Sequence, residues 1–111
     1  MLNPGPACKV SIYVTDGATH HGANAATAII DFLVRSGVSG ATALKGIAGF
    51  GSDHHLHSTA SVYVADNLPI KVEFIEERSV VDGLMPKLIE MAGTGMIELQ
   101  ETTIVKAPHA R

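Results

Sequence analysis

Twice along this chain the apolar residues change their spacing, from every second position to helical spacing and back again. Val10, Ile12 and Val14 alternate with Lys9, Ser11 and Tyr13, so CKVSIYV reads as a strand with one buried face. From Ala23 to Ser36 the period lengthens. Ala26, Ile29, Ile30 and Leu33 form one stripe, Asp31 and Arg35 fall off it, and Gly37 supplies a stop. ATALKGIAGFG reads as a second strand with Leu44, Ala48 and Phe50 on one face. TASVYVADNLPIKVEFIEE then divides into two strand-like halves around Asp66-Asn67-Leu68-Pro69. In the second half Ile70, Val72 and Phe74 alternate against Lys71, Glu73 and Ile75. Ser79-Val80-Val81-Asp82 resembles a capping box opening a helix whose stripe is Val81, Leu84, Met85, Leu88 and Ala92. Pro86 lies inside that helix and predicts a bend, because proline lacks the N–H and its ring clashes with the preceding turn. AGTG ends the helix, MIELQETTIV is the last strand, and KAPHAR is a tail.

The order β-α-β-(loop)-β-α-β is the split βαβ pattern of a ferredoxin-like α+β fold. It predicts a four-stranded antiparallel sheet with both helices on one face. The other face is expected to carry Tyr13, Ile47, Ile75 and Ile104 among Lys9, Lys45, Lys71 and Glu73. That mixture is too apolar for a water-facing surface and too polar for a core, so burial against other copies is expected. A 111-residue chain fits one domain, here residues 8–106 between short tails at 1–7 and 107–111.

Composition removes several classes of function. With 46% hydrophobic and 17% charged residues the chain is a globular domain, and its net charge of −3 argues against nucleic acid as the main partner. The one cysteine, Cys8, excludes an internal disulfide and reads as a packing residue. There is no basic-then-apolar signal pattern and no run near the roughly 20 apolar residues that span a bilayer, so a cytoplasmic location is expected.

Three chemistries are open to the polar residues. His54, His55 and His57 crowd one loop and His20-His21 form a second pair. Imidazoles bind zinc, copper and nickel, but adjacent His54 and His55 diverge on an extended chain and only His55 and His57 share a side. A solvated histidine cluster is the plain reading, with metal binding as its rival and a charge change near pH ~6–7 as a further option. Catalysis has little support: Cys8 has no motif, Ser52 lacks the GxSxG context, and Asp53-His54 are neighbours only in sequence. The chain is therefore not expected to be an enzyme. Phosphate binding rests on Gly49-Phe50-Gly51, where a strand enters a loop, and Gly93-Thr94-Gly95, where a helix turns into the last strand. Glycine allows converging N–H groups and close approach of an anion, although neither segment fits the Walker or dinucleotide pattern.

Read together, Gly40-Ala41-Thr42-Ala43-Leu44-Lys45-Gly46-Ile47-Ala48-Gly49-Phe50-Gly51, His57-Ser58-Thr59 and Asp66-Asn67-Leu68-Pro69 resemble the P-II-like signalling superfamily, in its poorly characterised branch with the signature GATxLxGIxGFG. The resemblance spans about residues 8–106. It implies a homotrimer of ferredoxin-like subunits with adenine nucleotide in clefts between them. It also implies a ligand-responsive T-loop, here about residues 52–63, that docks on a transporter, enzyme or regulator. By motif position, Gly49, Phe50, Gly51 and Ser52 would border the phosphates from one side. Gly93, Thr94, Gly95 and Met96 would form the phosphate loop, and Ala41 and Thr42 would lie near the base. Met96 stands where the classical loop has a lysine, and Ser52 where an arginine follows GFG. Lys106, His109 and Arg111 of a neighbouring subunit would supply charge instead. These departures favour ADP, AMP or a cyclic nucleotide over ATP, with a small anion such as bicarbonate as a plausible co-signal. Tyr63 matches the tyrosine that some classical P-II proteins have modified. Metal-tolerance relatives sharing the trimeric fold supply the rival, with His55 and His57 as ligands.

Overall fold

The computed structural model describes residues 2–51, 57–58 and 67–109. Its elements run β1 (Gly5–Thr15), β2 (Thr19–His20), β3 (Ala23–Asn24), α1 (Ala25–Arg35), β4 (Ala41–Lys45), β5 (Ala48–Gly49), β6 (His57–Ser58), β7 (Pro69–Glu76), α2 (Arg78–Ala92) and β8 (Met96–Ile104). Four strands form one sheet in the order β4-β7-β1-β8, and every pair is antiparallel. β2 and β3 make a short hairpin before α1, and β5 and β6 pair beyond the end of β4.

Alternation is what divides the sheet into two faces. Val10, Ile12 and Val14 of β1 oppose Phe74, Val72 and Ile70 of β7. All six are buried, and they meet Ala26, Ile29 and Leu33 of α1 and Val81, Leu88, Met91 and Ala92 of α2 in one core. Both helices therefore cover the same face. Cys8 is buried in this core as a packing residue.

The helix ends differ in how they are capped. The Asn24 side chain accepts the Thr27 N–H and caps α1, which starts at Ala25, two residues after the change of period at Ala23. The capping box expected in α2 does not form. The helix starts at Arg78 after Glu77, which gives no side-chain cap, and Asp82 instead accepts a hydrogen bond from Arg78. The i,i+4 ion pair thus takes the carboxylate that the box would have used. Pro86 lies within α2, which continues past it to Ala92.

Two expectations on β4 are corrected. Leu44 opposes Lys71 and lies on the open face, 51% exposed, whereas Lys45 opposes Ile70 on the helix side and its Nζ is 2.8 Å from Asp16 Oδ2. The strand stops at Lys45, so Ile47 and Phe50 lie beyond it and are largely exposed. The N–H of Gly46 is held by the Pro69 carbonyl at 2.7 Å, and this bond marks the break. β1 also begins at Gly5, upstream of Cys8, with Ala7 buried. The first strand-like half, 59–65, lies outside the described residues.

Candidate functional site

The two sequence motifs that lie furthest apart in the loop region meet in the fold. A Cβ on Gly46 or Gly49 would come within 2.8 or 2.9 Å of Pro69 Cγ, so both glycines of the GIAGFG segment make room for the proline of DNLP. Asp16 N–H donates to the Leu68 carbonyl at 2.8 Å, and Asp16 also holds Lys45. The exit of β4, the entry of β7 and the end of β1 are thereby tied into one unit. The start of β4 is fixed from the other side, where the buried Glu76 carboxylate accepts the Ser39 N–H at 2.7 Å.

The Gly93-Thr94-Gly95 bend is held differently. Gly93 sits at φ +58, and its N–H donates to the Glu90 carbonyl; the Gly95 N–H donates to the Ala92 carbonyl at 2.8 Å. A Cβ on Gly95 would collide with the Tyr13 carbonyl oxygen. These two amides are engaged with the last turn of α2, so they do not form the converging nest that the glycines suggested. Glycine is needed at 95 because β1 passes too close for any side chain. Thr94 and Met96 are exposed.

Register places both bends at the same end of the sheet. Leu44, Lys71, Tyr13 and Met96 form one rung across all four strands on the open face. β4 and β8 are opposite edges, however, and two strands separate them. Three strand spacings amount to roughly 14 Å. A single chain therefore presents Gly49, Phe50 and Gly51 at one edge and Gly93, Thr94, Gly95 and Met96 at the other. Ala41 and Thr42 lie on the first of these edges, both exposed, with Thr42 on the open face opposite Glu73. Lys106 follows Ile104, which pairs with Gly5 at the far end of β8, about 26 Å along the strand from Met96. Within one chain it cannot reach the bend. Ser52, Asp53, His54, His55, Tyr63 and Arg111 lie outside the described residues. His57 is placed only as backbone paired with Gly49.

The open face around the rung is a linked set of charges. Glu73 Oε1 lies 2.9 Å from Lys71 Nζ and 3.5 Å from Lys9 Nζ, and Ser11 Oγ donates to it at 3.4 Å. Tyr13 OH donates to Glu98 at 2.7 Å. The bond from Lys71 holds the Glu73 carboxyl below its ordinary range, and the same bond raises Lys71. The bond to Glu98, and then desolvation, raise the Tyr13 phenol.

One grouping was half visible in the sequence. His20 and His21 form an edge-to-face ring pair with centroids 4.2 Å apart, and Glu90 of α2 joins them, its Oε1 3.6 Å from His21 Nε2. Lys87 lies 3.6 Å from the other carboxylate oxygen; its charge, and then the hydrogen bond with His21, lower the Glu90 pKa. No residue near His20-His21 in sequence signals Glu90.

Residues 7–104 match the DUF190 family, described as an uncharacterized ACR. The chain belongs to that family. Among curated relatives, a UPF0166 protein of Methanocaldococcus jannaschii is 29% identical over 101 residues, covering 87% of this chain and 90% of the relative. A UPF0166 protein of Aquifex aeolicus is 39% identical over 49 residues, covering 44% and 51%. The DUF190 chain also shares its fold with CPII of Thiomonas intermedia, a nitrogen regulatory PII-like protein. One CPII structure, bound to ADP, AMP and bicarbonate, superposes with a TM-score of 0.61 at 19% identity, covering 94% of this chain and 92% of that one. Another, bound to ADP, AMP and acetate, gives 0.66 at 20% identity, covering 95% and 94%. The P-II-like resemblance read from the GFG and DNLP motifs is borne out by this fold. No described helix of this DUF190 protein is long and apolar enough to cross a membrane.

Proposed function

We propose that this protein is a regulatory, nucleotide-binding P-II-like trimer. Adenine nucleotide, ADP or AMP before ATP, would bind in clefts where the β4 edge of one copy adjoins the β8 edge of the next. The observation that carries this reading is the placement of the two glycine bends, at one end of the sheet but on opposite edges. A pocket built from both needs two copies. The likeness to CPII, whose structures hold ADP, AMP and bicarbonate, supports the ligand class.

In this reading Ala41, Thr42, Gly49, Phe50, Gly51 and Ser52 come from one subunit. Gly93, Thr94, Gly95 and Met96 come from its neighbour, with Lys106 and Arg111 supplying charge from an adjoining copy. Met96 offers no positive charge to a terminal phosphate, which favours the shorter nucleotides. Bicarbonate or a similar small anion is the co-ligand. Residues 52–63 are the arm that reports occupancy to a protein partner, a transporter or an enzyme, through contacts made in only one arm conformation. The role is binding, without catalysis.

Titration calorimetry with AMP, ADP, ATP and cyclic AMP, with and without bicarbonate, tests it on material whose mass is fixed by light scattering. A trimer that binds ADP or AMP more tightly than ATP is the expected result. A trimer that binds none of the four rejects the nucleotide reading, and a monomer rejects the cleft.

A further inference from the structure

The β2–β3 hairpin turns through His21 and Gly22 alone, with both at positive φ, +50 and +81. That is the backbone pattern of a two-residue type I′ turn, whose first central position ordinarily holds Asn, Asp or Gly. His21 is the only non-glycine residue at positive φ among the described residues. A left-handed conformation at such a residue is uncommon and calls for a reason.

Its consequence here is geometric. On an extended chain the side chains of adjacent residues diverge. The turn at His21 instead folds its ring back beside that of His20, and both face Glu90 on the last turn of α2. One nitrogen from each imidazole and one Glu90 oxygen all lie within 4.8 Å of one another. A tetrahedral ion bonded at about 2.0–2.2 Å needs its ligand atoms roughly 3.4 Å apart. The His21–Glu90 pair, at 3.6 Å, is already near that spacing, and a His20 nitrogen lies within 4.8 Å of both. Lys87 occupies the other carboxylate oxygen, so Oε1 is the one presented to the imidazoles. All three groups are at or near the surface, open to an ion and to a water as fourth ligand.

We propose that His20, His21 and Glu90 form a binding site for a divalent late transition metal such as zinc, copper or nickel. Two imidazoles and one carboxylate suit these ions, and not the all-oxygen preference of magnesium or calcium. The ion clamps the β2–β3 hairpin to α2 one turn before the Gly93-Thr94-Gly95 bend, where the Glu90 carbonyl accepts the Gly93 N–H. The site uses none of the loop histidines and no residue of the proposed nucleotide cleft.

The test uses tag-free, chelator-stripped full-length protein in which His54, His55 and His57 are replaced by alanine. Zn²⁺ is titrated by calorimetry and Co²⁺ by its visible absorption. Expected are one Zn²⁺ per chain and the intense visible bands of four-coordinate Co²⁺. His20→Ala/His21→Ala should abolish both signals. Glu90→Gln, with circular dichroism unchanged, should weaken Zn²⁺ by at least the roughly 10–100-fold that loss of a supporting contact costs. Absence of saturable uptake in the loop-substituted protein overturns the proposal, as does uptake that survives the histidine and glutamate substitutions.

Discussion

The two faces of the sheet are made by the same strands and share almost no chemistry. On the helix side the central rungs read Ala43–Val72–Ile12–Ile97 and Ala41–Phe74–Val10–Leu99, apolar throughout. On the open side they read Leu44–Lys71–Tyr13–Met96 and Thr42–Glu73–Ser11–Glu98. There the centre is a network in which Glu73 and Glu98 are both paired, while Leu44 and Met96, each more than half exposed, stand at opposite edges. The helix face holds the domain together through burial. The open face engages Glu73 with Lys71 and Lys9 and Glu98 with the Tyr13 hydroxyl, and it leaves Leu44 and Met96 at opposite edges, which suits the association proposed above.

The sharpest way to break this comparison is to remove equal apolar volume from each side. Ile12 is wholly buried, and Ile12→Ala should cost about 2–5 kcal/mol in denaturant unfolding. Leu44→Ala should leave unfolding of the isolated subunit within about 0.5 kcal/mol and act on self-association instead, read by light scattering. Equal losses of subunit stability from the two would show that the open face belongs to the subunit core. Next in size is Gly95→Ala, because a methyl group there meets the Tyr13 carbonyl. Backbone displacement should cost about 1–3 kcal/mol and lower nucleotide affinity, since the bend moves with β8. Unchanged stability in the Gly95→Ala variant would show that the close approach is not required.

The smallest effect is expected from the charges, and it depends on pH. The folded-state pKa of Glu73 lies below its ordinary 4.5, so its pairing contributes stability above that pH and loses it as pH falls through the folded value. Lys71 and Tyr13 are raised above their ordinary 10.5 and 10.0. Their contribution is complete below those values and is lost as pH rises through the folded ones. Glu73→Gln should flatten the acid limb of a stability-pH curve and cost under about 1 kcal/mol near neutrality, as partly exposed pairs do. An unchanged acid limb would mean that Glu73 is not its source.

Much of the fold was legible along the chain. β1 and β7 carry apolar alternation at Val10, Ile12, Val14 and at Ile70, Val72, Phe74, and α1 carries a stripe ending at a glycine, so burial and element type could be read locally. β4 was harder. Its helix-side positions are Ala41, Ala43 and Lys45, and its one large apolar residue, Leu44, faces outward; an edge strand with little contrast between faces has no readable phase. The start of α2 after Glu77, not Ser79, was not legible, because Asp82 has two possible uses, a capping box and the pair with Arg78, and spacing alone does not choose between them. The glycine bends were legible as bends. Their reasons were not, because Pro69 stands twenty residues beyond Gly49 and Tyr13 more than eighty before Gly95.

The sequence alone determined the two helices and the long strands β1, β7 and β8, and which face of β1 and β7 is buried, because periodic burial is written into consecutive residues. Only the tertiary structure decided that Gly46 and Gly49 shelter Pro69, that Gly95 lies under β1, that the two bends occupy opposite edges, and that Glu90 meets His20 and His21. Each of these is a contact between remote segments, and its geometry exists only once antiparallel register and helix packing have set the distance between them.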